Sequence, residues 1–389
     1  MYIRTTEELQ ALCEEAEKFG KLAIDVEFIR ENTYVPQLAL IQIAVDQTCA
    51  IIDPLEVPEL KPIFDLLNAS HVIKVLHAAS QDLEVLFWHS SVPPVRVFDT
   101  QVAAAMVGEG DQLAYGRLVE RLLGVSLAKG ESYTNWLQRP LTQEQLMYAL
   151  DDVRYLLPIH EILSERLNHL GRTEWVTEEF QKLENLDLYQ RDPRTLYRRI
   201  RRGRDLSAQA LAVLRELAEW RDREARQRNR PPGSILKDEF LVEIARKAPR
   251  TLDALQGFRG QPRREIERSG AEIIGLVERG LNVAEADRPR SQRKYRLTRT
   301  EELMVKFIDA YLKALCQDKK LSAPSIANRA DLEELVYLYR RDKLTTKQCL
   351  LLQGWRGDMF GEQLLAVLEG RVSLYLDPST GQVMSTSRD

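Results

Sequence analysis

At 389 residues, 44% hydrophobic and 29% charged, the chain has the composition of a globular protein and is too long for one ordinary domain. Its longest apolar run, 38–45, contains Gln42 and falls far short of the roughly 18 residues a bilayer crossing needs, and the start MYIRTTEELQ has no signal-peptide core. The net charge of −4 conceals a polarity: residues 1–170 hold 13 Lys and Arg against 25 Asp and Glu, while residues 171–290 hold 26 against 21. Excess carboxylate supplies what a cation site requires, and excess arginine suits a polyanion.

Three short segments, Lys21–Phe28, Leu38–Val45 and Cys49–Asp53, are apolar, partly β-branched and bounded by polar turns, so they read as successive strands. Glu59–Asn68 has helical spacing and Val72–His77 reads as a strand. Ser80 is placed to cap a helix running through Asp82, Leu83, Leu86 and Phe87. A strand near Val95–Phe98 precedes helical patterns at Thr100–Val107 and Leu113–Leu123, and a long helical stretch over Thr142–Leu170 is expected to kink at Pro158. The fold predicted for residues 1–170 is α/β, a mixed sheet flanked by helices.

Beyond Gly171 the strand signal disappears. Residues 171–205 read as an arginine-rich helical connector and 206–285 as a small all-α domain. A polar linker around Pro289 (286–294) leads to a second all-α domain of similar size, 295–371, readable as a diverged copy, and 372–389 is expected to be a flexible tail. Cys13, Cys49, Cys316 and Cys349 lie far apart without a CxxC pair, which predicts a reduced, cytoplasmic protein.

The candidate chemistry rests on carboxylates. Asp25 and Glu27 are two apart in a predicted strand and share a face, flanked by Leu22, Ile24, Val26 and Phe28. Two negative charges beside a core are costly unless something positive neutralises them. Asp82 sits in the first turn after a strand, where a helix dipole favours an anion and where strand–turn–helix units bind ligands. Tyr148 and Asp152 are four apart on a helix and share a face, whereas Asp151 is rotated about 100° away. Each feature alone fits ordinary surface or capping chemistry. Together, four carboxylates suit hard cations such as magnesium or manganese, and a nearby tyrosine hydroxyl suits an attacking water.

The segments AIDVEF (Ala23–Phe28), HAASQDLEVL (His77–Leu86) and YALDDVRYL (Tyr148–Leu156) resemble the three exonuclease motifs of the DEDD superfamily, in its tyrosine subgroup. Over roughly residues 1–370 the chain resembles the ribonuclease D family, in which such a domain precedes helicase-and-RNase-D C-terminal (HRDC) domains. The block from Leu206 to Gly280, with Trp220 and Ile235–Ala245, is similar to an HRDC domain. The resemblance implies a ribonuclease H-like sheet and metal-dependent 3′→5′ exoribonuclease activity releasing 5′-mononucleotides. It implies that Asp25, Glu27, Asp82 and Asp152 bind two divalent cations, magnesium or manganese, that Tyr148 orients the nucleophilic water, and that the RNAs trimmed are tRNA precursors and other small structured RNAs. His77 reads as a structural histidine ending a strand.

Two arginine groups offer phosphate contacts: Arg198, Arg199, Arg201 and Arg202, then Arg226, Arg228 and Arg230. Acids interleave with the second group (Asp222, Glu224), so ion pairing along a helix competes there. A monomer is expected. The rival readings are a DNA proofreading or repair exonuclease with the same active site, and a catalytically silent RNA-binding scaffold.

Overall fold

Strands and helices alternate through the first part of the computed structural model, which describes residues 1–128, 134–190, 192–258, 263–289 and 295–388, with the Arg204 side chain outside that description. In order they are β1 (Tyr2–Ile3), α1 (Thr6–Phe19), β2 (Lys21–Ile29), β3 (Gln37–Val45), β4 (Thr48–Ile52), α2 (Lys61–Asn68), β5 (Ile73–Leu76), α3 (Ser80–Ser90), β6 (Val97–Asp99), α4 (Thr100–Val107), α5 (Tyr115–Leu123), α6 (Gln143–Arg154), α7 (Leu156–His169) and α8 (Thr173–Leu183). The six strands form one mixed sheet in the order β1-β4-β3-β2-β5-β6. β3 and β4 are antiparallel, while β1–β4, β2–β5 and β5–β6 are parallel.

Two elements lie outside the sequence expectation. β1 is only two residues long, below what alternation reveals. α1 has a legible start: Thr5 accepts from the Glu8 amide while Glu8 accepts from the Thr5 amide, a reciprocal cap. Two details also differ. The long helix breaks at Tyr155 rather than at Pro158, because proline has no N–H for the Arg154 carbonyl and its ring crowds that oxygen. Ser80 is the first residue of α3 and makes no cap; Asp99, at the end of β6, instead accepts from the Ala78 and Ala79 amides at 3.1 and 2.9 Å.

By contacts the chain divides into two units. One comprises Met1–Glu27, Ala39–Asn185 and Lys294–Asp389; the other comprises Phe28–Leu38 and Leu186–Arg293. The expected connector is therefore shared out. α8 buries Val176 and Phe180 in the core of the first unit, and residues from Leu186 onward belong to the second.

The second unit is helical: 3₁₀ turns at Pro193–Arg199 and Arg201–Asp205, then α9 (Ala208–Gln227), α10 (Pro232–Ile235), α11 (Asp238–Lys247), α12 (Leu252–Gln256) and α13 (Arg263–Leu281). Its core gathers around the fully buried Trp220. α9 and α13 touch backbone to backbone at Gly280, where a Cβ would lie 2.4 Å from Val213 Cα. From Phe28–Leu38, Tyr34 donates to Asp222 at 2.6 Å.

The C-terminal part of the first unit holds α14 (Arg299–Asp318), α15 (Ala323–Ile326), α16 (Arg329–Tyr339), α17 (Gly354–Arg356) and α18 (Glu362–Leu368). α14, α15 and α16 have 20, 4 and 11 residues against 20, 4 and 10 for α9, α10 and α11. This block shares a core with α4, α7 and α8. Trp355 stacks on Trp175 with centroids 5.2 Å apart, and Arg356 and the Trp355 indole both donate to Glu179. Arg172 donates to the Met106 and Lys319 carbonyls, each at 2.6 Å. Gly108, at φ +91°, leaves room for Lys320, whose carbonyl would stand 2.4 Å from any Cβ there.

The tail expected to be flexible is instead a hairpin, β7 (Val372–Leu376) against β8 (Val383–Ser387). Its Ser, Thr and Gly are turn chemistry: Asp377 accepts from the Ser379 amide, and Gly381 adopts φ +70°. Of the expected linker, residues 290–294 lie outside the described residues.

Candidate active site

β2 carries Asp25 and Glu27 on the sheet face that also bears Ala23, which belongs to the same apolar cluster as Val153 and Leu156. α6 packs on the sheet at β4, with Ala149 in one apolar cluster with Ala39, Leu40 and Ile51, and presents Tyr148 and Asp152 one turn apart. One carboxylate oxygen from each of Asp25, Glu27 and Asp152 lies within 4.8 Å of the other two. Residues 127 positions apart in sequence thus meet.

Such a cluster resists ionisation. Burial raises Asp25 to about 7 against a hydrogen bond from the Val26 amide, and burial followed by the Asp25 charge lifts Glu27 to about 8. Asp152 reaches about 9 through burial, then through Asp25, Glu27 and Asp151, opposed by a hydrogen bond from Tyr148. Asp82, in the first turn of α3, lies outside the 4.8 Å group. Its carboxyl is nonetheless held well above the usual range, first by burial and then by Asp25, Glu27, Asp99 and Asp152. All four acids therefore share one electrostatic balance. Hard oxygen donors this close, unwilling to be charged together, fit a divalent cation that would restore their ionised form.

Around this cluster the other singled-out residues take defined places. Both ring nitrogens of His77 are occupied, Nδ1 by Thr100 Oγ1 and Nε2 by the Leu113 carbonyl, each at 2.9 Å, which matches the structural reading. Asp151 turns away and pairs with Arg154. Asp99 is a buried acid that sequence pattern does not reveal. Besides the Ala78 and Ala79 amides it accepts from those of Gln101 and Val102, at 2.8 and 3.3 Å, and so braces the turn that carries Asp82. Trp136, packed 5.9 Å from the Tyr148 ring, and Arg139 were equally invisible in the sequence, since neither belongs to a charge pattern.

The arginines divide. Arg198, Arg199, Arg201 and Arg202 are exposed on the two 3₁₀ turns, and Arg230 is exposed beyond α9. Arg226 donates to Tyr34 at 2.9 Å and to Asp222 at 2.8 Å. Arg228 grips Glu265 at 2.7 and 3.0 Å and Glu224 at 2.5 Å, tying α9 to α13. Ion pairing within the unit thus occupies these two. Among the described residues no helix is long and apolar enough to cross a membrane.

The chain is 37% identical over 377 residues to ribonuclease D of Gluconacetobacter diazotrophicus, covering 96% of this chain and 94% of that one. It belongs to the ribonuclease D family. Ribonuclease D of Zymomonas mobilis is 38% identical over 375 residues, 94% of this chain and 93% of that protein. The crystal structure of Escherichia coli RNase D, described as an exoribonuclease involved in structured RNA processing, superposes with a TM-score of 0.83 at 32% identity, covering 95% and 98% of the two chains. Within this ribonuclease D-family chain, residues 1–168 match the 3′-5′ exonuclease family model and residues 210–277 match the HRDC domain model.

Proposed function

We propose that this ribonuclease D-family exoribonuclease trims extra nucleotides from the 3′ ends of tRNA precursors and other small structured RNAs, releasing 5′-mononucleotides. The observation that carries the chemistry is the meeting of the Asp25, Glu27 and Asp152 carboxylates within 4.8 Å. With Asp82 they would hold two divalent cations, magnesium or manganese, which when bound supply a polarised phosphate and a more acidic water.

The side chains supply the rest. Tyr148 donates its proton to Asp152, so the tyrosine oxygen keeps lone pairs with which to accept from a water. That water is thereby turned to present its own lone pair to the terminal phosphodiester. The exposed Arg198, Arg199, Arg201, Arg202 and Arg230 would meet backbone phosphates without reading bases, as suits an enzyme that accepts many 3′ sequences. We place the enzyme in the cytoplasm as a monomer.

The test is incubation of a tRNA precursor bearing a 3′ extension with magnesium or manganese, and with chelator, resolving products nucleotide by nucleotide. Stepwise 5′-mononucleotides that disappear with chelator are expected. Internal cleavage, chelator-resistant release, or equal action on a matched DNA oligonucleotide would refute the proposal.

A further inference from the structure

The Tyr148 hydroxyl can orient a water only if its ring is held still, and the ring sits on an exposed-sided helix rather than in the deep core. Its neighbours form a small apolar cluster of Ala39, Leu40, Ile51, Trp136 and Ala149. The large member is Trp136, 3% exposed, its ring 5.9 Å from that of Tyr148 with the planes tilted by 34°. Trp136 lies on the irregular segment 134–141 that leads into α6, where no ladder of backbone hydrogen bonds fixes it.

Arg139 supplies what the backbone does not. Its Nε and Nη2 form a fork on Asp53, at 2.6 and 2.8 Å. Nη1 donates to the Trp136 and Gln138 carbonyls at 2.7 and 3.0 Å, and Nη2 also donates to the Ala39 carbonyl on β3 at 2.9 Å. The Asp53 side chain is fully buried just past β4 and also accepts from the Leu55 amide and the Tyr2 hydroxyl. One guanidinium thus clamps the Trp136 segment to two strands of the sheet. A second tie joins that segment to α6, from Gln145 to Thr134 Oγ1 at 2.8 Å. A planar fork with every donor engaged has one geometry, which lysine cannot reproduce.

We infer that Trp136, held by the Arg139–Asp53 clamp, is a positioning residue that fixes the Tyr148 ring for the attack step. This rests on Tyr148 being the water-orienting group. Neither Trp136 nor Arg139 offers a carboxylate to a cation, and with Trp136 only 3% exposed and the Arg139 donors all engaged within the protein, neither is free to grip RNA, so both affinities are expected to be unchanged.

The experiment measures kcat and KM on a single-stranded oligoribonucleotide, manganese affinity by calorimetry without RNA, and the melting temperature, for Trp136→Leu, Trp136→Phe, Arg139→Lys, Tyr148→Phe and the Trp136→Leu/Tyr148→Phe pair. Trp136→Leu is expected to lower kcat by about ten- to a hundredfold, the scale of a misplaced reacting group, with KM and manganese affinity unchanged. Trp136→Phe, which keeps an aromatic face, restores most of the rate. Arg139→Lys, which keeps the charge opposite Asp53 but loses the fork, lowers kcat in the same direction; it carries the test if Trp136→Leu fails to fold. The double variant is expected to be no slower than Tyr148→Phe alone, because the tryptophan acts through the tyrosine. If Tyr148→Phe itself turns over normally, the role given to Tyr148 fails. If Tyr148→Phe is impaired while folded Trp136→Leu or Arg139→Lys is not, or if the two losses multiply, or if KM and manganese affinity move instead of kcat, the positioning inference alone is overturned.

Discussion

Asp152→Asn separates stability from function in a way that only a cation-seeking cluster predicts. At 4.8 Å, the widest spacing in the cluster, two unit charges repel by about 3.5 kcal/mol at an effective dielectric near 20. Burial first, and then two such neighbours, make Asp152 keep its proton up to about pH 9. Against an ordinary carboxyl, that retention costs about 4 kcal/mol of folding free energy near pH 7. Asparagine has nearly the same shape and no charge. In the presence of chelator the variant is therefore expected to be more stable than the parent by about 2–4 kcal/mol, and to melt several degrees higher. Manganese should raise the parent's melting temperature and leave the variant's almost unmoved, while turnover falls by at least about a thousandfold. The assay is a pair of melting curves, with chelator and with manganese, beside single-turnover cleavage. A variant less stable than the parent in chelator, or one that cleaves at near-normal rate, would refute the idea that these acids converge to bind a cation.

The same carboxyls set a pH dependence. Asp25, Glu27 and Asp152 titrate near 7, 8 and 9 in the fold against roughly 4 when unfolded, so the folded protein binds more protons across that window. Their share of stability is full below about pH 4 and is lost as pH rises through 9; chelated protein should melt progressively lower from pH 5 to 9, and a flat or rising trend in melting temperature would refute this. Replacing Arg198, Arg199, Arg201 and Arg202 together by Ala should weaken RNA binding and reduce the salt slope by about 3, read from affinities at several salt concentrations. Arg228→Ala should leave that slope unchanged and instead cost about 1–3 kcal/mol of stability by freeing Glu265 and Glu224, measured by denaturant melts. Arg356→Ala removes one of the donors to Glu179, which keeps Lys182 and the Trp355 indole, and strands the Ser325 and Ile326 carbonyls; it is expected to destabilise the first unit by about 1–3 kcal/mol in a thermal melt.

Much of the candidate site could be read in the sequence because its signals are local. Asp25 and Glu27 stand out through two-residue spacing in an apolar strand, and Tyr148 and Asp152 through one helical turn. Backbone period fixes both pairings before any tertiary contact forms. What escaped was set by distant partners. The sequence offers Arg228 its helical neighbour Glu224, but not Glu265, which α13 brings to it from 37 positions away. The hairpin at Val372–Ser387 looked frayed because residues that favour tight turns also favour disorder. Asp99 and Arg139 carry no periodicity, so only coordinates reveal that one braces the turn before Asp82 and the other a loop beside Tyr148.

The stacking of Trp175 on Trp355, with Glu179 taken by Arg356, has a consequence for synthesis. The ribosome releases the front of the nuclease long before it makes the residues that close its flank. A chain halted after residue 293 would lack the Trp355 that stacks on Trp175 and the Arg356 that binds Glu179, and would leave that side of α8 bare to water. Premature termination would therefore yield a sticky fragment for quality control to clear rather than a leaner enzyme.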